Sequence, residues 1–299
     1  MNKIRKAFIV LGMIFGLCAA AAAQTKVASS GTPAVRTVLI GDYNSFVCRS
    51  AIGVHIKKKA GNALTIKADK NILPYVEVRQ EGMRIEVGIR AGVEVSRYAV
   101  EIVLPANDHT TYLAASEAAQ IRSDVPLQGD EVMIKVESLG TIAAAAQAGR
   151  FLGEAETAGR LLLAVETDEC RIECEESGDA ACSIRARECT IEANNSAVIK
   201  GEMECREKCT IRATNSSKIE LEGTAPRAEL SAKTASKLLA SGLYVADAEA
   251  HASEMALIEL FFTSTLRAEA ETAGEIRHAG PGTKISGQAS TGGKIGRKN

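Results

Sequence analysis

The stretch Cys189 to Gly201 reads CTIEANNSAVIKG, and beginning twenty residues later Cys209 to Gly223 reads CTIRATNSSKIELEG. The two copies align cysteine with cysteine and apolar residue with apolar residue. Apolar and polar residues alternate within each copy, as in the run from Cys189 to Ala193, which is typical of strands with one buried face. The stretch therefore predicts strands that recur at a fixed distance along the chain.

The same phase extends in both directions from Ile199 and Ile219. Residues that keep it are Ile121, Ile142, Leu161, Leu238, Ile258, Ile276 and Ile295, with Ala180 and Ala181 where one further marker falls. The 174 residues from Ile121 to Ile295 make nine steps of about 19 residues, and clusters of Ser, Gly, Asn and Thr that suit turns precede most markers. A fixed period of this length predicts a stacking repeat, in which each rung buries its face against its neighbours.

We therefore predict an all-β fold, a parallel β-helix (β-solenoid) with rungs of 19–20 residues. Composition agrees, because 6 Phe, 5 Tyr and no Trp suit a narrow core better than a wide globular one. Rungs about 4.8 Å apart would give a rod about 43 Å long. A β-sandwich is the alternative, but a sandwich does not need a constant phase.

Four segments follow from the pattern along the chain. Residues 1–23 are predicted to be a signal peptide, since a charged start, an apolar middle and small residues follow one another. Residues 24–38 are predicted to be a flexible linker, 39–109 a β-rich segment that caps or begins the solenoid, and 110–299 the β-helix repeats. No later apolar run reaches the length of a membrane span, so no transmembrane span is predicted.

Charge argues against one class of partner. Without the predicted signal peptide the chain has 33 Lys and Arg against 37 Asp and Glu. A weakly acidic chain with interspersed charges of both signs lacks the basic surface that binds nucleic acid.

Both ends of the chain carry motifs of a known family. Gly-Ile-x-Val-x-Ile, Ala-Asp-x-Asn-Leu, Val-x-Val and Gly-x-Leu-x-Ile have counterparts at Ile52–Ile56, Ala68–Ile72, Val76–Val78 and Gly82–Ile85. The close from Gly274 to Pro281 is similar to Gly-x-Ile-x-Tyr-x-Gly-x-Pro. Over about residues 40–299 the chain thus resembles the head GIN domain family, also called putative auto-transporter adhesins, although SEAA, NNSA and TNSS replace the family's Ser-Gly-Ala-Gly turns.

The resemblance implies a right-handed parallel β-helix, exported to the envelope or exterior of a Gram-negative bacterium. It implies no established activity and no catalytic residues.

Seven cysteines follow the predicted signal peptide. Cys170, Cys189 and Cys209 share one phase and are predicted to stack as an interior ladder, with Cys174 and Cys205 at inward positions nearby. They are interpreted as buried unpaired fillers or as one or more disulfides of an exported protein. A metal site is disfavoured, because zinc needs four converging ligands and a ladder points its thiols along a line.

Outward positions give the candidate contact surface. At positions three residues after the cysteine ladder phase, the chain has Glu192, Arg212, His251 and Glu269. We interpret this row as a solvated strand face with weak charge pairing or as a groove for a charged glycan. Phe261 is a candidate for partner contact, because alternation turns one ring of the Phe261–Phe262 pair outward. No histidine stands in a nucleophile or metal motif, so no catalytic residue, metal or cofactor is predicted.

The leading hypothesis is an exported, non-enzymatic cell-envelope protein that adheres to a protein or glycan partner, in the periplasm, at the outer-membrane surface or outside the cell. A polysaccharide-acting enzyme, a lyase or hydrolase on a β-helix, is one alternative. The other is a structural subunit that forms a homo-oligomer, because open solenoid ends expose strand edges that can stack end to end.

Overall fold

The structure, a computed structural model, describes residues 25–96 and 98–298. The predicted signal peptide, residues 1–23, lies outside the described residues. The elements, numbered in chain order, are a 3₁₀ turn at Leu73–Tyr75 and the strands β1 Thr25–Ala28, β2 Pro33–Leu39, β3 Ser45–Cys48, β4 Gly53–Lys57, β5 Ala63–Asp69, β6 Val76–Glu81, β7 Arg84–Ile89, β8 Val93–Ser96, β9 Glu101–Pro105, β10 Tyr112–Ala115, β11 Gln120–Ser123, β12 Leu127–Val136, β13 Thr141–Ala155, β14 Arg160–Cys174, β15 Asp179–Ala193, β16 Val198–Ala213, β17 Lys218–Ala232, β18 Lys237–Ala252, β19 Leu257–Ala270, β20 Glu275–Ala279, β21 Lys284–Ala289 and β22 Lys294–Arg297.

The predicted markers form one continuous column in the structure. Parallel pairing runs from Ile121 through Ile142, Leu161, Ala180, Ile199, Ile219, Leu238, Ile258 and Ile276 to Ile295. It continues in the other direction through Val54 to Ile102. These side chains are buried from Ile102 to Ile276, so each rung covers the apolar face of the next. The predicted β-solenoid is confirmed, with about 10 turns.

Each rung consists of two strand segments separated by a corner. In β14, alternate residues from Leu161 to Thr167 face inward, Asp168 and Glu169 are both exposed, and inward alternation resumes at Cys170. β16 has one more residue at this corner, where the register shifts. The insertion explains why one ladder step is nineteen residues and the next is twenty.

A tight turn closes each rung, at the positions of the Ser-, Gly-, Asn- and Thr-rich clusters. In the turn Asn194–Ala197 the two central residues have φ of 51° and 65°, and the Ala197 amide donates to the Asn194 carbonyl at 3.2 Å. Two consecutive positive φ values with this bond are the features of a type I′ turn. Successive turns are also bonded to each other, as where the Ser196 amide donates to the Asn215 carbonyl at 3.0 Å. We call this series the turn column.

The N-terminal third is stacked out of chain order. β3 and β4 pair in parallel with β10 and β11 on one side and with β7 and β9 on the other. Antiparallel strands then cover this end, because β5 pairs with β9, β2 with β5 and β6 with β7. Parallel stacking therefore begins within residues 39–109, before the predicted boundary.

The predicted flexible linker over residues 24–38 is wrong where the structure describes it. β1 pairs with β8, and β2 pairs with β5 along its whole length. Its Ser, Gly, Thr and Pro content indicated flexibility, but Ala34, Arg36 and Val38 alternate with exposed residues and are half-buried. Composition does not reveal a strand partner thirty residues away.

Among the described residues, no helix has the length and apolar character that crossing a membrane requires.

Candidate functional site

The outward side of the second strand segments presents three rows of side chains. Register places each row in line along the rod. The corner row is Glu131, Arg150, Glu169, Glu188, Lys208, Arg227, Asp247, Thr265 and Lys284. The middle row is Met133, Leu152, Arg171, Thr190, Thr210, Glu229, Glu249, Arg267 and Ser286. The turn row is Lys135, Glu154, Glu173, Glu192, Arg212, Ser231, His251, Glu269 and Gln288.

The corner and middle rows line two hollows that follow one another along the rod. The lower hollow, of about 410 Å³, extends from Glu131 to Thr190. The upper hollow, of about 540 Å³, extends from Lys208 to Ser286. Glu188 of the lower hollow pairs in register with Lys208 of the upper one, so the two hollows follow one another on adjacent rungs of one face, which we call the groove face.

The lower half of the groove has apolar lining between charged rims. Met133, Phe151 and Leu152 line it. At the corner, the Arg187 guanidinium donates to Glu188 at 2.8 Å and to Glu169 at 3.4 Å. These carboxylates are thereby held along the rim.

The upper half carries charges of both signs, some of them paired. Lys208 forms an ion pair with Glu229 at 2.6 Å, and the Thr265 hydroxyl donates to Asp247 at 2.6 Å. Arg227 and Lys284 form no ion pair with any residue that the structure describes, and both line the hollow. These two cations can therefore meet a ligand without first breaking a pair.

The predicted contact residues of the turn row lie beside the groove and are held by ion pairs. Glu192 accepts from Arg171 at 2.9 Å and from Arg212 at 2.7 Å. Glu269 lies 3.7 Å from a ring nitrogen of His251. The row lies in line as the phase predicts, and its charges largely compensate one another.

Phe261 lies on the other face, formed by the first strand segments. Its ring packs edge-on against Tyr244, with centroids 4.8 Å apart. Tyr244 is 56% exposed and Phe262 is buried, so the outward ring of the phenylalanine pair is Phe261. The structure does not bring it together with the turn row.

The cysteine ladder lies beneath the groove face. Cys170, Cys189 and Cys209 pair in register on three successive rungs, while Cys174 pairs with an alanine on the next rung and Cys205 with an alanine on the previous one. All seven cysteines of the described residues are buried free thiols.

Six of these thiols sit in surroundings that raise the pKa and disfavour the thiolate. A hydrogen bond with Cys170 and burial raise the pKa of Cys189 far above its ordinary value. Burial also raises the pKa of Cys48 and of Cys182 to about 12. Such thiols stay protonated at neutral pH and are poor nucleophiles. Nor do the described residues contain a group of three or more His, Cys, Asp or Glu that could hold a metal ion.

The sequence reasoning identified one row of three and missed the groove itself. The corner row stands one residue before the ladder and the middle row one residue after it, as Glu188 and Thr190 do around Cys189. This phase was available from the sequence. Which outward rows line a hollow depends on the corner geometry, which periodicity does not reveal.

Comparison with known proteins gives one family. The family model described as "Putative auto-transporter adhesin, head GIN domain" matches residues 42–197 and 170–282. No curated protein matches the sequence.

Several solved structures are similar to this chain at low identity. A putative adhesin from Parabacteroides merdae ATCC 43184 is 19% identical, with a TM-score of 0.49 over 92% of this chain and 100% of that one. A putative lipid binding protein from Parabacteroides distasonis ATCC 8503 is 15% identical, with a TM-score of 0.49 over 92% and 100%. A putative adhesin from the same strain is 18% identical, with a TM-score of 0.47 over 91% and 100%.

Proposed function

The chain belongs to the head GIN domain family of putative auto-transporter adhesins, and we propose that it is an exported, non-enzymatic adhesion protein whose groove face binds an extended polypeptide of a partner. The observation that carries the proposal is the groove face, which runs along the rod past nine positions of the corner row.

The length of the groove suits an extended, linear partner. Eight rung steps of about 4.8 Å make about 38 Å, which an extended peptide spans with about 12 residues. Because strand pairing fixes the backbone on both sides of the corner-row residues from Arg150 to Thr265, little backbone freedom remains to be lost on binding.

Charge favours a polypeptide over a glycan. Along the corner row, Glu169 and Glu188 are followed by Lys208 and Arg227, and then by Asp247. A polypeptide can carry complementary charges of both signs in one chain, whereas the acidic groups of a glycan carry one sign only. A peptide with basic residues followed by acidic residues would match this order.

Export is part of the proposal, and it rests on the signal-peptide pattern of residues 1–23. The mature protein is proposed to act in the periplasm, at the cell surface or outside the cell.

A random peptide library displayed on phage tests the proposal. Residues 24–299, which contain every strand that the structure describes, serve as bait, and Arg227→Glu/Lys284→Glu serves as the groove variant. Lys233→Glu/Lys237→Glu is the matched control, because it makes the same charge change at exposed lysines away from the groove. We expect enriched peptides of mixed charge whose affinity falls at least about tenfold for the groove variant and stays within about twofold for the control.

Two results would overturn the proposal. One is peptide binding that both variants weaken equally. The other is turnover of a uronic-acid glycan, with or without calcium, by the purified protein.

A further inference from the structure

A second surface, on the N-terminal cap, combines lysines with exposed apolar side chains. β2, β5, β9 and β4 pair side by side, and residues directly opposite one another share a face of the sheet. The outward face thus holds Val35 beside Lys67, and Thr65 with Lys59 bonded to its hydroxyl at 3.2 Å. Lys57 lies on the same face of β4. We call this surface the cap face.

The lysines of the cap face form no ion pair within 4 Å among the described residues, although Glu101 of β9 stands opposite Lys67 in register on the same face. Lys57, Lys59 and Lys67 form no ion pair with any residue that the structure describes, and neither do Lys58 and Lys70 nearby. Most cations of the solenoid's groove side, in contrast, lie within 4 Å of a carboxylate, as Lys135 does with Glu154 at 3.3 Å.

The lysines also lie at a pole of the molecule. Residues 25–105 contain 12 Lys and Arg against 7 Asp and Glu, whereas residues 106–298 contain 21 against 30. A negatively charged surface is therefore attracted to the cap and repelled by most of the rod.

Two large apolar side chains project from the same face. Val35 is 62% exposed and Leu39 is 78% exposed, and both belong to β2, whose one strand partner among the described residues is β5. Lysine often protects an edge strand from aggregation, but here the edge strand carries the apolar residues and the lysines lie on the strands behind it. Protection of the edge thus does not account for the arrangement.

We propose that the cap face docks on an anionic lipid bilayer, with Lys57, Lys59 and Lys67 at the headgroups and Val35 and Leu39 in the interfacial layer. Basic residues and apolar side chains on one surface are the two contributions that hold proteins at such membranes. A second copy is a poor occupant, because two cap faces would oppose like charges. The inference is independent of the groove and goes beyond the adhesive function.

Co-sedimentation with vesicles tests this docking. Residues 24–299 are mixed with vesicles of phosphatidylcholine alone or with phosphatidylglycerol added, so that the apolar run of residues 8–17 takes no part. We expect binding to the anionic vesicles at least about tenfold above that to neutral ones, decreasing as salt is raised above about 0.1 M.

Variants separate the cap face from general charge. Lys57→Glu/Lys59→Glu/Lys67→Glu should lower binding at least about tenfold, whereas Lys233→Glu/Lys237→Glu/Lys294→Glu, the same charge change at exposed lysines outside the cap, should leave it within about twofold. Val35→Ser/Leu39→Ser should reduce the binding that persists at high salt. Equal loss in both triple variants, or capture of soluble polyglutamate in place of vesicles, would overturn the proposal.

Discussion

Gly201 lies in β16, where the rung passes directly over Cys182 of the preceding rung. A Cβ atom at this position would lie 1.9 Å from the Cys182 carbonyl oxygen and 2.9 Å from its sulfur. Ordinary contact begins at 3.4 Å, so an alanine here must displace the two strands by about 1.5 Å. We predict that Gly201→Ala strongly destabilises the solenoid.

The magnitude follows from what the displacement breaks. Gly201 is in register with Cys182 on one side and Leu221 on the other, and a shift of this size overpacks the interior at a cost of about 1–3 kcal/mol. Each buried backbone group that loses its partner adds about 1–3 kcal/mol. Since neighbouring rungs can yield a little, we expect a total loss of about 2–4 kcal/mol.

Urea denaturation followed by far-ultraviolet circular dichroism measures the change, with Gly296→Ala as the control. Gly296 lies in the last strand and has no atom within 4 Å of the added Cβ, so its substitution should change the unfolding free energy by less than about 0.5 kcal/mol. The double variant Gly201→Ala/Cys182→Ala should keep most of the loss, because the closest clash is with a backbone oxygen. A Gly201→Ala midpoint equal to that of the wild type would refute the reasoning, and full rescue by Cys182→Ala would assign the clash to the sulfur instead.

Three further predictions concern the core and the charges. Ile191→Ala, at a fully buried position, should cost about 2–5 kcal/mol, whereas Ile285→Ala, at a residue 46% exposed on the last rung, should cost less than about 1 kcal/mol in the same urea titration. The seven cysteines should resist iodoacetamide in the native protein and all react once unfolded; a native mass reduced by two hydrogens per pair would indicate disulfides instead. Burial opposes ionisation of Glu259, but hydrogen bonds from Lys298, Arg277 and Ser241 outweigh it and hold its pKa below the usual range. The stability that ionised Glu259 contributes is therefore present above its unfolded pKa of about 4.3 and is lost as pH falls through its folded pKa. Between about pH 6 and pH 3, Glu259→Gln should thus lose less unfolding free energy than the wild type. Equal losses in the two proteins would contradict this.

The solenoid was predictable because the register of stacked strands appears in the sequence as a fixed spacing of apolar residues. Each marker from Ile121 to Ile295 is constrained by the residues above and below it, so one phase recurs even where an alanine replaces an isoleucine. The same logic gave the cysteine ladder and the turn row. These features depend on side-chain alternation and spacing, both of which are local.

The cap could not be predicted in the same way, because its order in space differs from its order in the chain. β3 and β4 lie between a rung formed later by β7 and β9 and another formed by β10 and β11. Antiparallel pairing of β2 with β5 likewise joins residues that no period relates. The cap face depends on this pairing, since it brings Val35 and Lys67 side by side.

The turn column has an electrical consequence. From Ala118 donating to Ser138 up to Ala273 donating to Thr291, every bond between successive turns points the same way, with the amide on the earlier rung and the carbonyl on the later one. Aligned peptide groups add their dipole moments, as they do in an α-helix. Here the sense is opposite to that of a helix. Bonds of the reverse sense flank each turn, as where the Asn194 amide donates to the Cys174 carbonyl and the Val198 amide to the Gly178 carbonyl. The dipoles therefore largely cancel, and the coil can grow by further rungs without building up a large dipole along this edge.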